Sequence, residues 1–158
     1  MKLETRFMLL SLVLFTWAGC AGMSNTRDRF TAEQLAYVPQ LEQVSLEFEL
    51  AKTDVPDAWG RAQSFIATHS SMKLQLVTDY ILQTYNPTGF GDYGYYVTKT
   101  PAGDKVQITI RGLAGLDTVL WGSLKASERG PSKPLTNARI LAHYMQTGKL
   151  PHPELISK

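Results

Sequence analysis

The sequence predicts an α+β fold: an antiparallel sheet of three to five strands with helices packed on one face. Apolar and polar residues alternate over residues 43–52, 73–82 and 105–111, the period of strands with one wet face. Residues 56–69 and 136–148 instead repeat apolar side chains at three-and-four spacing, the period of a helix lying on a sheet. Turn-forming Gly, Pro, Asn and Asp cluster between these stretches. The resulting order, strand, helix, three strands, helix, is that of a sheet backed by helices.

Each element has its own warrant. A short helix is expected at Thr31 to Tyr37, with Thr31 as cap, Glu33 near its start and Pro39 as its end. In the first strand Val44, Leu46, Phe48 and Leu50 face one way and Gln43, Ser45, Glu47 and Glu49 the other. Asp54 is a candidate cap for the next helix and Pro56 lies in its first turn, where a missing N–H costs nothing. Its apolar face reads Ala58, Trp59, Ala62, Phe65, Ile66 and His69. Residues 73–82 read as one strand, with Leu74, Leu76, Thr78, Tyr80 and Leu82 on one side. Asn86-Pro87-Thr88-Gly89 and Gly91-Asp92 form a loop, and Pro101-Ala102-Gly103-Asp104 turns strand 94–100 into strand 105–111. Val119 to Leu124 offers a further strand before the polar stretch Lys125–Lys133. In the final helix Thr136 is the expected cap, Ala138, Leu141, Ala142 and Met145 form the stripe, and Gly148 ends it ahead of Leu150 and Pro151.

The N-terminus carries an address. Lys2 and Arg6 precede the apolar run Phe7 to Phe15, and Trp17-Ala18-Gly19-Cys20 follows. A basic start, an apolar core of about ten residues and a small-residue exit describe a secretory signal peptide, too short to span a bilayer as a mature helix. Cys20 is the single cysteine of the 158 residues. Ala18, Gly19 and Cys20 resemble the lipobox of bacterial lipoproteins, with Trp17 departing from the usual Leu. The resemblance implies cleavage before Cys20, a diacylglycerol on its sulfur and a fatty acyl chain such as palmitate on its amine. Together these suffice for stable anchoring where one chain does not. Ala21 at the following position implies sorting to the outer membrane, facing the periplasm, in preference to inner-membrane retention or secretion. Residues 1–19 are thus expected to be signal peptide, 20–42 a lipidated tether and 43–158 a single α+β domain.

Without residues 1–19 the chain keeps 14 basic and 13 acidic residues, a near-neutral balance. Lys125, Arg129 and Lys133 are interrupted by Glu128, so no clustered basic face points to nucleic acid. Beyond the signal segment there is no apolar run of membrane-spanning length. The element order, with a tryptophan in Pro56-Asp57-Ala58-Trp59, is similar over Val44 to Ile110 to the helix-grip domains of BamC, a lipoprotein of the outer-membrane barrel assembly machinery. BamC carries two such domains and a long N-terminal docking segment, whereas this sequence has residues for one domain. The similarity implies an accessory role in the envelope and carries over no site residue.

No catalytic or metal-binding constellation is expected. His69-Ser70-Ser71 lacks an adjacent orienting acid, and there is no Gly-x-Ser-x-Gly elbow. His69, His143 and His152 have no metal-ligand spacing. Glu47 and Glu49 stand about 7 Å apart on a strand's wet face, a separation compatible with glycoside hydrolysis but equally ordinary for a soluble strand. The segment around Gly89, Gly91 and Gly94 is richer. Tyr85, Phe90, Tyr93, Tyr95 and Tyr96, with Tyr80 nearby, form the candidate partner or ligand surface, since tyrosines offer apolar area with a polar tip. The expectation is a non-enzymatic, cofactor-free outer-membrane lipoprotein of structural or accessory type, binding an envelope protein. The alternative is a periplasmic ligand- or glycan-binding module. An exposed tyrosine patch favours the first, and a lined cavity under the 56–69 helix favours the second.

Overall fold

A computed structural model of the chain describes residues 31–89, 92–115, 135–150 and 152–156. The expected signal peptide at residues 1–19, Cys20, Ala21, Phe90, Gly91, the expected strand at 119–124 and the polar stretch 125–133 lie outside the described residues. In chain order the elements are α1 (Ala32–Glu42), β1 (Glu47–Ala51), α2 (Val55–His69), β2 (Leu74–Val77), β3 (Ile81–Thr84), β4 (Tyr93–Ala102), β5 (Lys105–Ala114) and α3 (Leu135–Thr147). A 3-10 turn follows at Pro153–Leu155.

The five strands form one antiparallel sheet in the order β1-β5-β4-β3-β2. The fold is α+β, as the two sequence periods imply. β2 to β5 follow one another as a meander, and α2 carries the chain from β1 at one edge to β2 at the other. The β4–β5 hairpin is the longest pairing, closed at Ala102↔Lys105. Gly103 has φ 65° there and no non-glycine residue has positive φ among those described, as at the first central position of a type II′ turn.

One face of the sheet packs on helices. Val97, Ile108 and Ile110 are buried, and Phe48, Leu50 and Val106 pack beside them. The register Phe48↔Ile108 and Val97↔Ile110 puts these on one side. α2 answers with Ala58, Trp59, Ala62, Phe65 and Ile66, and α3 with Ala138, Ile140, Leu141, Ala142 and Met145, all buried. Burying each of the larger side chains contributes about 1.5–3 kcal/mol. Arg61 locks the two helices together: its guanidinium donates to the Met145 carbonyl at 2.6 Å, at the electronegative end of α3. Gly148, at φ 70°, ends α3 with its N–H donating to the Tyr144 carbonyl.

Four local expectations are corrected. α1 is capped by Thr31, whose side chain forms a capping box with Gln34, but it runs through Pro39 to Glu42. Val38 and Leu41 are each 1% exposed and α1 packs on α3, burial that offsets the lost hydrogen bond. Residues 32–42 form a helix whose Leu41 joins the hydrophobic core. The 73–82 run is a hairpin rather than one strand. Thr78 turns it, its Oγ1 accepting from the N–H groups of Tyr80 and Ile81 at 3.2 and 2.9 Å. Asp54 occupies the cap position of α2 without a side-chain cap bond; its carboxylate accepts from the Thr53 hydroxyl instead. Thr136 is not the cap of α3 but a buried residue within its first turn.

Candidate functional site

Strand parity divides the tyrosines expected on one surface. Tyr93 and Tyr95 lie two residues apart on β4 and turn the same way, into the core, where they are 1% and 0% exposed. The Tyr95 ring meets Phe65 of α2 edge-on at 5.9 Å and Tyr93 at 6.2 Å. The Tyr93 hydroxyl donates to the His69 carbonyl at the end of α2. Burial pushes the Tyr95 phenol far above its ordinary range, the neighbouring Tyr93 adds to the shift and Asn137 opposes it. Burial also raises Tyr93. Tyr96 faces the opposite side, paired with Gln83 and Arg111. Tyr85, beyond the end of β3, is exposed. The candidate surface is corrected accordingly: β4 already begins at Tyr93, so its alternation sends two of the five aromatics inward and one to the other face.

The residues tested for catalysis are engaged structurally. The Ser71 hydroxyl accepts from the Tyr93 N–H at 2.7 Å and donates to the Tyr93 carbonyl at 2.8 Å. The Ser70 hydroxyl also donates to that carbonyl, at 3.3 Å. These contacts fasten the end of α2 to the start of β4. His69 stacks on Phe65, with ring centroids 4.8 Å apart. His143 and His152 flank Tyr37 at 6.4 and 4.9 Å. Glu49 pairs with Lys105 at 2.9 Å on the exposed β1–β5 face. Among the described residues no three His, Cys, Asp or Glu side chains gather as metal ligands.

Two other features stand out. The first is the β2–β3 hairpin. Among the described residues the large apolar side chains left exposed are Leu76, Val77, Tyr80 and Tyr85, at 39, 53, 57 and 51%. All four fall within ten residues of chain. β2 is also an edge strand, and its sequence Leu-Gln-Leu-Val carries no charge. The opposite edge, β1, carries Glu47 and Glu49, the kind of charge that keeps an edge from pairing with foreign strands. Leu74–Val77 carries no such charge, although the strand is short and its register shifts between Leu74 and Leu76.

The second feature is a pocket of about 260 Å³ at the end of the sheet where α2 begins. Val55, Pro56 and Trp59 form its helical wall. Pro101 and Val106, paired across β4 and β5, form its floor. Lys52, Tyr80 and Lys99 complete the lining. Lys99 stands two residues beyond the buried Val97 and opposite the buried Ile108, so it lies on the helix-facing side of the sheet. Its ammonium rests 4.7 Å from the centroid of the Trp59 ring. The Trp59 indole N–H is buried and has no hydrogen-bond partner among the described residues. Sequence periodicity placed Trp59 on the packing face of α2 and passed over Lys99. The signal was available: Tyr95, Val97, Lys99 and Pro101 share one parity, and a lysine on the apolar parity of a strand marks a place where packing stops.

Among the described residues no helix is long and apolar enough to cross a membrane. No known protein family, curated protein or solved structure matches the chain.

Proposed function

We propose that this chain is a lipid-anchored accessory protein of the bacterial outer membrane that faces the periplasm and acts by docking a protein partner. Cys20 and its flanking Ala18, Gly19 and Ala21 support the anchor. The observation that carries the docking role is the concentration of exposed apolar side chains on the uncharged edge strand β2 and its turn. An extended segment of a partner pairs with such an edge through main-chain hydrogen bonds, and side chains on alternate positions supply selectivity. Leu76 and Val77 point to opposite faces of the sheet, so the partner strand is gripped on both. The partner's chemistry follows: an extended, apolar segment with few charges. A lipid anchor confines both proteins to one surface and raises the effective concentration for a weak edge contact.

The test is crosslinking of the tagged full chain in its host, beside Cys20→Ala and the pair Leu76→Lys/Val77→Lys. A discrete species captured by the native chain and lost from both variants supports the reading. Capture unchanged by the lysine pair overturns docking through β2, and capture unchanged by Cys20→Ala removes the anchor from the account.

A further inference from the structure

We infer that the pocket between α2 and the β4–β5 hairpin is a binding site for a small amphiphilic anion, a carboxylate carried on an apolar or aromatic body. The inference is independent of partner docking at β2. Three observations converge on it. The walls are apolar: Val55, Pro56, Trp59, Pro101 and Val106 supply them, as ligand pockets require. The volume of about 260 Å³ lies just below the roughly 300–1,000 Å³ typical of drug-sized ligands, so the occupant is small. The charge is one-sided, since the two charged side chains lining the pocket, Lys52 and Lys99, are both cations, and the third titratable group there, Tyr80, is a phenol.

Lys99 is the more informative of the two. Its place on the helix-facing side of the sheet, between core residues and the pocket, takes the ammonium out of the solvated outer face. There it rests on the Trp59 indole. Among the described residues no carboxylate stands within ion-pair distance of Lys99 or Lys52; the ion pair nearby in sequence joins Lys105 to Glu49. The face of an indole attracts a cation, but by about 0.5–2 kcal/mol, and it leaves the ammonium's hydrogens available to an acceptor. A carboxylate entering the pocket meets two ammonium groups while its apolar body lies against Trp59 and the prolines. A neutral analogue of the same body gains the apolar contacts alone. A metal cation or a basic ligand meets like charge.

The test uses the full chain, ¹⁵N-labelled and embedded in lipid nanodiscs, with 3-phenylpropionate as the anionic probe and 3-phenylpropanol as its neutral match. The readout is the indole ¹H–¹⁵N resonance of Trp59, assigned through Trp59→Phe. The expected result is a saturable shift of the Trp59 resonance alone, with the acid binding at least about tenfold more tightly than the alcohol, the ratio for one charge-assisted hydrogen bond. Lys99→Met is expected to remove that preference while leaving the backbone spectrum in place, and Lys52→Gln to reduce it. Equal affinities for acid and alcohol overturn the inference. So does a shift that survives both lysine changes, or no saturable shift at all. The β2 crosslink is a separate measurement, so failure here leaves the docking proposal standing and the converse also holds.

Discussion

Thr84→Val removes one oxygen from a place that water does not reach, and its effect can be worked out in advance. Thr84 ends β3 and is 0% exposed. Its Oγ1 accepts from the Tyr95 N–H at 3.0 Å and sits 3.4 Å from the Tyr95 carbonyl, to which it donates. Tyr95 is itself 0% exposed, and β3–β4 backbone pairing stops at Gln83↔Tyr96. The hydroxyl therefore stands in for the next rung of the ladder. Valine keeps the shape but leaves the Tyr95 N–H without this acceptor, a penalty of about 1–3 kcal/mol. The new methyl group returns about 0.8 kcal/mol through burial, leaving a net loss of roughly 0.2–2.2 kcal/mol. Urea unfolding of the full chain, followed by circular dichroism, reads this as a lower midpoint at constant slope. With a slope of about 2 kcal/mol/M the midpoint falls by roughly 0.1–1.1 M. Thr84→Ser is the control, because it keeps the oxygen and gives up a methyl. Exchange of the Tyr95 amide separates the two, slow in the native chain and in serine, faster in valine. A valine variant as stable as the native chain, with the Tyr95 amide equally protected, would refute this account of how β3 meets β4.

Further outcomes follow from the same packing. A Cβ at Gly94 would lie 2.1 Å from the Thr84 hydroxyl oxygen and 3.4 Å from the Tyr85 carbonyl, so Gly94→Ala should cost about 1–3 kcal/mol by overpacking, read as a lowered urea midpoint. Burial raises the folded-state pKa of Tyr95, and of Tyr93 and Tyr37 with it. Such groups stabilise the fold fully below the unfolded phenol value of about 10 and lose that contribution as pH rises beyond it. Alkaline unfolding should therefore begin above that pH, and Tyr95→Phe should flatten the alkaline limb of stability against pH. Glu49→Gln breaks an ion pair whose side chains are half exposed, and should change stability by less than about 1 kcal/mol, with no added effect at high salt.

Where local signals agree with burial, the sequence reads plainly. The α2 stripe from Ala58 to Ile66 is uninterrupted, Pro56 fits its first turn, and the helix lies where that stripe puts it. Gly103 and Gly148 both occupy positive-φ positions that their neighbours in sequence announce. The misreadings have physical causes. Thr78, Asp79 and Tyr80 continue the alternation of their flanks, so period alone hides a turn that the Thr78 side chain makes. Pro39 reads as a stop because local rules do not include the packing of α1 on α3 or the burial of Val38 and Leu41 around it. At the candidate site the aromatic content of residues 80–96 was visible, but which rings are exposed depends on where β4 starts. Beginning the strand at Tyr93 adds that ring to the inward parity of Tyr95 and Val97. Lys99 and Trp59 lie 40 positions apart in the numbering, and only the packing of α2 across β4 brings them together.

The most direct measurement of the docking claim is a pair of photo-activated crosslinkers placed in the full chain in its host, one at Val77 on the β2 edge and one at Glu47 on the β1 edge. The account predicts a single discrete adduct from position 77, lost when Leu76 becomes lysine in the same chain, and none from position 47. Equal adducts from both edges, or an adduct from 47 alone, would contradict it.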